Sequence, residues 1–82
     1  MGKWFLYLLK CADRSLYTGI TNDLDRRFKM HTLGRAARYT RGRRPVKMVY
    51  HEICRSHSAA LKREYAVKSL TRAEKLALVR HS

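Results

Sequence analysis

The sequence predicts an α+β protein, a small three-stranded antiparallel sheet flanked by helices in the order β-β-α-β-α-α. Three apolar or alternating runs have the length of strands, and polar, glycine or proline residues bound them. Segments with helical spacing and capping residues follow the second and third runs. A chain of 82 residues suffices for one thin core, so we expect a single domain over residues 1–82.

The first two strands are predicted to form a hairpin. Residues 4–11 are almost continuously apolar and too few for a buried helix, which is typical of a strand covered on both faces. A polar turn separates them from a second strand-like run at residues 15–20. Gly19 lies inside this second run, where a missing side chain leaves room for a backbone or a ligand to come close.

The first helix is predicted to follow directly. Thr21 or Asn22 is expected to cap it, and acidic residues just beyond suit the positive end of its dipole. Gly34 marks its end. Along one side it presents Leu24, Arg27, Phe28 and His31.

The third strand is predicted at residues 46–54, directly after Pro45. One side of it carries Val46, Met48 and Tyr50, and the other carries Lys47, Val49 and His51. This alternation is typical of a half-buried strand.

Two further helices are predicted after the third strand. The first covers residues 58–69. At helical spacing it presents Leu61, Tyr65 and Lys68. Thr71 and Glu74 have the spacing of a capping box, and they begin a last short helix with Leu76 and Val79 in its apolar stripe.

The charge of the chain indicates a polyanionic partner. Lys and Arg total 19 against 6 Asp and Glu, which gives a net charge of +13. Binding to nucleic acid relieves the self-repulsion of such a chain. A membrane surface is a weaker candidate, since we expect no long basic amphipathic helix, signal peptide or membrane-spanning segment. A generally solubilising surface is the third interpretation.

The basic charge is densest in residues 26–47, which contain nine Lys or Arg and no acid. Arginines recur there every third residue, so in a helix they would form a ladder that matches phosphate oxygens, with Tyr39 beside it to stack on a base. The alternative is a solvated charge run on a mobile loop. The expected contacts with nucleic acid, DNA more than RNA, are Arg26, Arg35, Arg38, Tyr39, Arg41, Arg43 and Arg44.

The two cysteines, Cys11 and Cys54, each lie in an apolar run without a neighbouring Cys or His cluster. This pattern is typical of buried free thiols in a reducing cytoplasm, so we expect a cytoplasmic protein without a zinc site.

Acidic residues are scarce, so the clustered carboxylates of a two-metal nuclease are not expected. A single-metal site with one anchoring carboxylate fits better. Glu64 lies on the inward or boundary side of its predicted helix. The alternative role for Glu64 is an ion pair with Lys68, worth a few tenths of a kcal/mol.

Several of these residues resemble the GIY-YIG nuclease family. Residues 5–7 are similar to its first motif, in which only the tyrosine matches, and residues 17–19 to its second, with Thr in place of the middle Ile. Arg27 and His31, four residues apart, resemble the pattern of the family's first helix. Residues 59–68 resemble the segment that holds its metal-binding glutamate.

This resemblance covers nearly the whole chain and is strongest to short stand-alone bacterial members, in which no second, target-reading domain is expected. It implies metal-dependent hydrolysis of phosphodiester bonds in DNA, in repair or in processing of structured DNA, with Mg²⁺ or another divalent ion such as Mn²⁺. The protein is expected to be a monomer or a weak dimer. The implied roles are catalytic for Tyr7, Tyr17, Arg27 and His31, metal-binding for Glu64, and structural for Gly19.

The resemblance implies that Tyr7 or Tyr17 orients the attacking water or takes its proton, and the sequence does not distinguish them. An unperturbed tyrosine has a pKa of about 10, so the site must lower that pKa or pass the proton onward. The rival interpretations are a non-catalytic nucleic-acid-binding module with the same fold, and an interaction subunit that docks on a larger partner. In the binding module the basic segment contacts nucleic acid, and Tyr7, Tyr17 and Glu64 are structural. The alternative role for His31 is a boundary histidine with a backbone partner.

Overall fold

The computed structural model describes residues 2–81, which form three strands and four helices. The predicted α+β class and the β-β-α-β-α-α order are confirmed, with one added four-residue helix inside the basic connection. The elements are β1 Trp4–Lys10, β2 Leu16–Thr21, α1 Leu24–Thr32, α2 Arg38–Arg41, β3 Lys47–Cys54, α3 His57–Lys68 and α4 Arg72–Arg80.

Strand β1 is the centre of the sheet, and β2 and β3 flank it in antiparallel orientation. Leu6, Leu8 and Leu9 are fully buried, because a central strand with helices on both faces has no solvent side. This confirms the prediction from the continuous apolar run. The polar turn before β2 is held by Asp13, whose carboxylate accepts hydrogen bonds from the backbone N–H and hydroxyl of Ser15.

The predicted alternation of β3 breaks at Val49. Leu8 pairs with Tyr50 and Leu9 with Met48, so Val49 is an extra residue in a β-bulge. A bulge shifts the side-chain alternation by one position, and Val49 and Tyr50, which were predicted on opposite sides, therefore both pack against the core.

One face of the sheet packs on α3 and α4. Its core joins Leu6 and Leu8 of β1 to Cys54, Ala60 and Val67. Of the residues predicted at helical spacing on α3, Leu61 is 47% and Tyr65 is 77% exposed, so they do not lie on its buried side. Apolar residues occur all round this helix, so spacing alone did not identify its buried side, and the small Ala60 lets the helix approach the sheet closely.

A polar contact also fixes the orientation of α3. Arg63 donates a hydrogen bond from Nε to Glu52 of β3, and the Tyr50 hydroxyl donates to the other oxygen of the same carboxylate. This pair holds the middle of α3 against β3, one residue before Glu64.

The helix starts show one difference from the prediction. Asp23, not Thr21 or Asn22, caps α1 by accepting a hydrogen bond from the backbone N–H of Arg26. Thr21 instead ends β2. The capping box of Thr71 and Glu74 is present as predicted, and Gly34, with a φ of 76°, follows the end of α1.

Cys11 and Cys54 are buried free thiols, as predicted. None of the helices within residues 2–81 is long and apolar enough to cross a membrane.

Thr18 carries a buried hydroxyl without a hydrogen-bond partner among the described residues. We expect Thr18→Val, which keeps the shape and removes the hydroxyl, to raise the free energy of unfolding by about 1 kcal/mol. Thermal unfolding should then shift upward by about 4–8 °C. Thr21→Val is the matched control, because the Thr21 hydroxyl is satisfied by the backbone of Asp23 and its loss should destabilise. Equal effects of the two variants would contradict this account.

Candidate active site

Tyr7 and Gly19 lie opposite each other on β1 and β2. Tyr7 is only 2% exposed, and its ring covers the glycine. A Cβ at Gly19 would lie 2.5 Å from Cζ of Tyr7, well inside van der Waals contact. The close approach that the sequence predicted at Gly19 is therefore made by the Tyr7 ring.

Gly19→Ala tests this packing. We expect the added methyl group to displace the Tyr7 ring and to lower the free energy of unfolding by about 1–3 kcal/mol, measured by chemical denaturation. Gly42→Ala is the matched control, because a Cβ at Gly42 meets nothing within 4 Å. A loss of stability at Gly42 as large as that at Gly19 would show that the close contact with Tyr7 is not the cause.

A buried hydrogen-bond chain starts at the Tyr7 hydroxyl, which lies 2.8 Å from Nε2 of His31. The second ring nitrogen of His31, Nδ1, lies 2.8 Å from Oγ1 of Thr40. The Thr40 hydroxyl donates to the carbonyl of Ala37 at 3.2 Å. His31 and Thr40 are both fully buried, so these are the contacts that satisfy the imidazole.

Burial of this hydrogen-bond chain favours the neutral forms of Tyr7 and His31. Burial raises the pKa of Tyr7 above its ordinary value; the nearby Tyr17 and Glu64 add to the rise and Arg27 opposes it. Burial, with the positive charge of Arg27, lowers the pKa of His31 to about 4. At neutral pH the imidazole is therefore uncharged and Tyr7 keeps its proton.

Arg27 is the cation at this centre. It lies exposed on α1, and its charge acts on both Tyr7 and His31. It also lines a cavity of about 530 Å³. The cavity is lined by Thr21, Asn22, Asp23, Arg26, Arg27 and Met30.

Tyr17 joins the same cluster through ring contacts. Its centroid lies 6.4 Å from that of Tyr7, 5.2 Å from that of His31, and 5.7 Å from that of Tyr39, against which it stacks. The Tyr17 side chain is half-buried, and its hydroxyl has no hydrogen-bond partner within residues 2–81. It is thus the tyrosine whose hydroxyl is available to a bound molecule.

Tyr39 and Arg43 support Tyr17 from outside. The Arg43 guanidinium lies 3.9 Å from the centroid of the Tyr39 ring, and its Nε is 2.9 Å from the Asp13 carboxylate in the hairpin turn. The same guanidinium donates to the Tyr39 carbonyl. The expected base-stacking surface of Tyr39 is therefore already in contact with Tyr17 and Arg43.

The predicted arginine ladder does not form, since α2 is a single four-residue helix. Arg44 turns back onto the protein and donates to the carbonyls of Arg41 and Thr32. Arg35, Arg38 and Arg41 remain without a hydrogen bond or ion pair from their side chains among the described residues, and they line a second, shallower depression.

Glu64 projects from α3 and is half-buried, with its carboxylate 3.3 Å from the Lys68 ammonium. The ion pair that was the alternative role for Glu64 is therefore present. No group of three or more His, Cys, Asp or Glu comes together in the described part of the chain. A single carboxylate fits Mg²⁺, which keeps several waters and binds substrate phosphates as its other ligands.

Thr40 is the site residue that sequence reasoning missed. It lies in the basic segment between Tyr39 and Arg41, where charge was the only visible signal, and nothing in its spacing indicates a contact with His31. The hydrogen bond appears only once α2 is folded against α1.

The fold and this cluster define a GIY-YIG catalytic domain. The chain belongs to this nuclease family, whose model, described as the GIY-YIG catalytic domain, matches residues 3–77. Among relatives, the chain is 52% identical over 80 residues to the UPF0213 protein DP2720 of Desulfotalea psychrophila, covering 96% of this chain and 73% of that protein. It is 53% identical over 75 residues to the UPF0213 protein CPE1444 of Clostridium perfringens, covering 92% of this chain and 81% of that one.

Two solution NMR structures show the same fold. The UPF0213 protein BH0048 from Bacillus halodurans superposes with a TM-score of 0.64 at 44% identity, covering 98% of this chain and 85% of that one. The protein EF2693 from E. faecalis superposes with a TM-score of 0.67 at 36% identity, covering 99% and 86%. The expected membership of a group of short bacterial GIY-YIG proteins is thereby confirmed.

Proposed function

We propose that this protein is a metal-dependent endonuclease that hydrolyses phosphodiester bonds in DNA, in the repair or processing of structured DNA in the cytoplasm. The position of Arg27 carries the proposal. It lines the cavity next to α1, and its charge acts on both members of the buried Tyr7–His31 pair. Arg27 therefore lies between a cavity that could hold a phosphate and the Tyr7–His31 pair that could transfer a proton.

Arg27 is proposed to neutralise the charge that develops on the phosphoryl oxygens in the transition state. Its neighbour Arg26 lines the same cavity and would hold an adjacent oxygen. A guanidinium offers several N–H donors in one plane, which match the oxygens of a phosphate.

Tyr17 is proposed to orient the attacking water, because its hydroxyl has no partner within the described residues and its ring contacts His31. Tyr7 is proposed to take the proton of that water on its oxygen while it releases its own proton to Nε2 of His31. Its raised pKa argues against a standing phenolate at Tyr7. Burial and the charge of Arg27 lower the pKa of His31 to about 4, so the imidazole does not keep this proton and returns it through the Tyr7 hydroxyl.

Glu64 is proposed to hold Mg²⁺, or Mn²⁺ in its place. When bound, a divalent ion supplies positive charge to the scissile phosphate and the leaving oxygen. The electrostatic effect of Glu64 on Tyr7 supports a location for the ion beside the tyrosines.

The surrounding surface supports nucleic acid as the substrate. Arg35, Arg38 and Arg41 have free guanidinium groups along α2 and its approach, and we propose that they contact the backbone phosphates. Each phosphate neutralised on duplex DNA should add about −0.9 to the slope of log K against log salt. Arg43 and Arg44, which bind the protein itself, should contribute less.

A cleavage assay tests the proposal. Purified protein is incubated with supercoiled plasmid and with branched DNA in Mg²⁺, in Mn²⁺ and in EDTA, beside a Tyr17→Phe variant. We expect cutting that both EDTA and Tyr17→Phe abolish. Salt-sensitive binding without cutting by the wild type would instead support the non-catalytic binding module. Absence of both cutting and binding at about 150 mM salt, where specific complexes normally survive, would support the interaction subunit.

A further inference from the structure

We propose that Thr40 is a positioning residue that holds the His31 imidazole in its Nδ1–H tautomer, so that Nε2 remains a hydrogen-bond acceptor for Tyr7. The catalytic consequence rests on the proposed function above, whereas the tautomer itself does not.

The inference starts from the single proton of the Thr40 hydroxyl. That proton is directed at the Ala37 carbonyl, 3.2 Å away, and a carbonyl oxygen can only accept. The hydroxyl oxygen therefore offers a lone pair to its other neighbour, Nδ1 of His31 at 2.8 Å. Nδ1 must then carry the hydrogen.

The second step concerns the other nitrogen of the ring. A neutral imidazole has one N–H donor and one acceptor, so a hydrogen on Nδ1 leaves Nε2 with a lone pair. The Tyr7 hydroxyl, 2.8 Å from Nε2, consequently donates its proton to His31. The chain then runs in one direction, from Tyr7 through His31 and Thr40 to Ala37.

The opposite tautomer is disfavoured by burial. It would require Thr40 to donate to His31 and Tyr7 to turn its own proton away from the ring. The Ala37 carbonyl would keep its bond from the Arg41 backbone N–H, but the Tyr7 hydroxyl proton has no other hydrogen-bond partner among the described residues. His31 and Thr40 are fully buried and Tyr7 is nearly so. A polar group left unpaired in such a place costs about 1–3 kcal/mol.

This assigns the short helix α2 a role beyond its charge. Ala37 is its N-cap and Thr40 lies in its one turn, so the helix itself places the acceptor carbonyl beneath the hydroxyl. The segment is held to the hairpin turn by the Arg43–Asp13 ion pair and by the bond from the Ala12 backbone N–H to the Arg43 carbonyl.

The orientation has a consequence at Tyr7. With its proton given inward to His31, the Tyr7 oxygen presents only lone pairs to any other neighbour. It can then accept a proton from a bound group while it releases its own to the imidazole, which is the relay that the proposed reaction requires.

The decisive test is a two-bond ¹H–¹⁵N correlation spectrum of the wild-type protein at neutral pH. The ¹⁵N shifts of Nδ1 and Nε2, and their couplings to the hydrogens on Cδ2 and Cε1, show which ring nitrogen of His31 is protonated. We expect the Nδ1–H form alone. An Nε2–H form in the wild type would overturn the proposal without any variant.

Two substitutions separate positioning from packing. Thr40→Val keeps the shape without the hydroxyl, and we expect His31 to lose its single Nδ1–H tautomer. Thr40→Ser keeps the hydroxyl, and we expect it to retain the wild-type spectrum. A folded Thr40→Val protein with an unchanged tautomer would overturn the proposal, as would a Thr40→Ser protein that behaves like Thr40→Val.

Cleavage rates add the functional readout. We expect Thr40→Val to reduce the rate by about 10-fold or more, as expected when proton transfer is impaired, and Thr40→Ser to restore most of it. If the wild type cuts no DNA at all, the proposed function fails, while the spectra still decide the role of Thr40. If the wild type cuts and Thr40→Val cuts equally fast, the positioning role fails instead.

Discussion

Arg27→Ala is expected to lower the rate of DNA cleavage by about 10²–10³-fold, the usual loss when one donor to a developing negative charge is removed. The side chain is exposed and bonded to nothing within the described residues, so its removal should leave the fold intact. DNA affinity should fall far less than the rate, because only one phosphate contact is lost. Single-turnover cleavage and a binding isotherm at fixed salt measure the two effects separately.

Lys29→Ala is the matched control, since it removes one positive charge from an exposed position two residues further along α1. It should leave the cleavage rate within about threefold, as a surface change away from the site does. If Arg27→Ala also cleaves DNA at a rate within about threefold of the wild type, Arg27 does not stabilise the transition state.

The effect of Arg27 on the pKa of His31 can be measured even if the protein cleaves no DNA. Burial, and after it the charge of Arg27, lowers the pKa of His31 to about 4. Without that cation the charged imidazole is less disfavoured, so the pKa of His31 should move upward toward its ordinary value. An NMR titration of His31 follows this shift, and an unchanged pKa in Arg27→Ala would show that the guanidinium does not act on the buried pair.

Glu64→Gln is expected to abolish metal-dependent cleavage. A neutral amide keeps the shape of the side chain but loses the negative charge by which one carboxylate holds a hard cation. We also expect a large loss of Mn²⁺ affinity in the absence of DNA, measured by calorimetry. Retained Mg²⁺-dependent cutting would show that the ion is held elsewhere.

Lys68→Ala distinguishes metal binding from the ion pair at the same residue. The Glu64–Lys68 pair is an i,i+4 pair with an exposed partner, and such pairs contribute only a few tenths of a kcal/mol. If the pair were the whole role of Glu64, both variants would behave alike. We expect Lys68→Ala to keep cutting, and Asp25→Asn, which removes an exposed carboxylate from α1, to do the same.

The strands and helices of this fold were predictable because each has a recognisable pattern in its own stretch of sequence. A central strand buried on both faces reads as a continuous apolar run, and a capping box needs only Thr71 and Glu74 at the right spacing. Gly19 was recognisable for a related reason, since a glycine inside a strand marks a close approach. Its neighbour, the Tyr7 ring, was not predicted, because the partner depends on strand register.

Errors arose where two local solutions were equivalent. Leu61 and Tyr65, four residues apart, and Ala60 and Val67, seven apart, each lie on one side of a helix, and only packing on the sheet selects the latter pair. The side-chain alternation of β3 failed at Val49 because a bulge depends on both strands of a pair. The spacing of residues within one helix or strand does not show which of its sides packs against a neighbouring element.

By itself the sequence determined the α+β class, the strand and helix order, the basic charge and the family motifs that select Tyr7, Tyr17, Arg27, His31 and Glu64. Only the tertiary structure decided how these groups act on each other. The hydrogen bond to Thr40 of α2 decides which nitrogen of the His31 ring on α1 carries the hydrogen. The other nitrogen is then free to accept a hydrogen bond from Tyr7 of β1. Such bonds join residues far apart in the chain, and burial makes each of them necessary, because a polar group enclosed by the protein needs a hydrogen-bond partner.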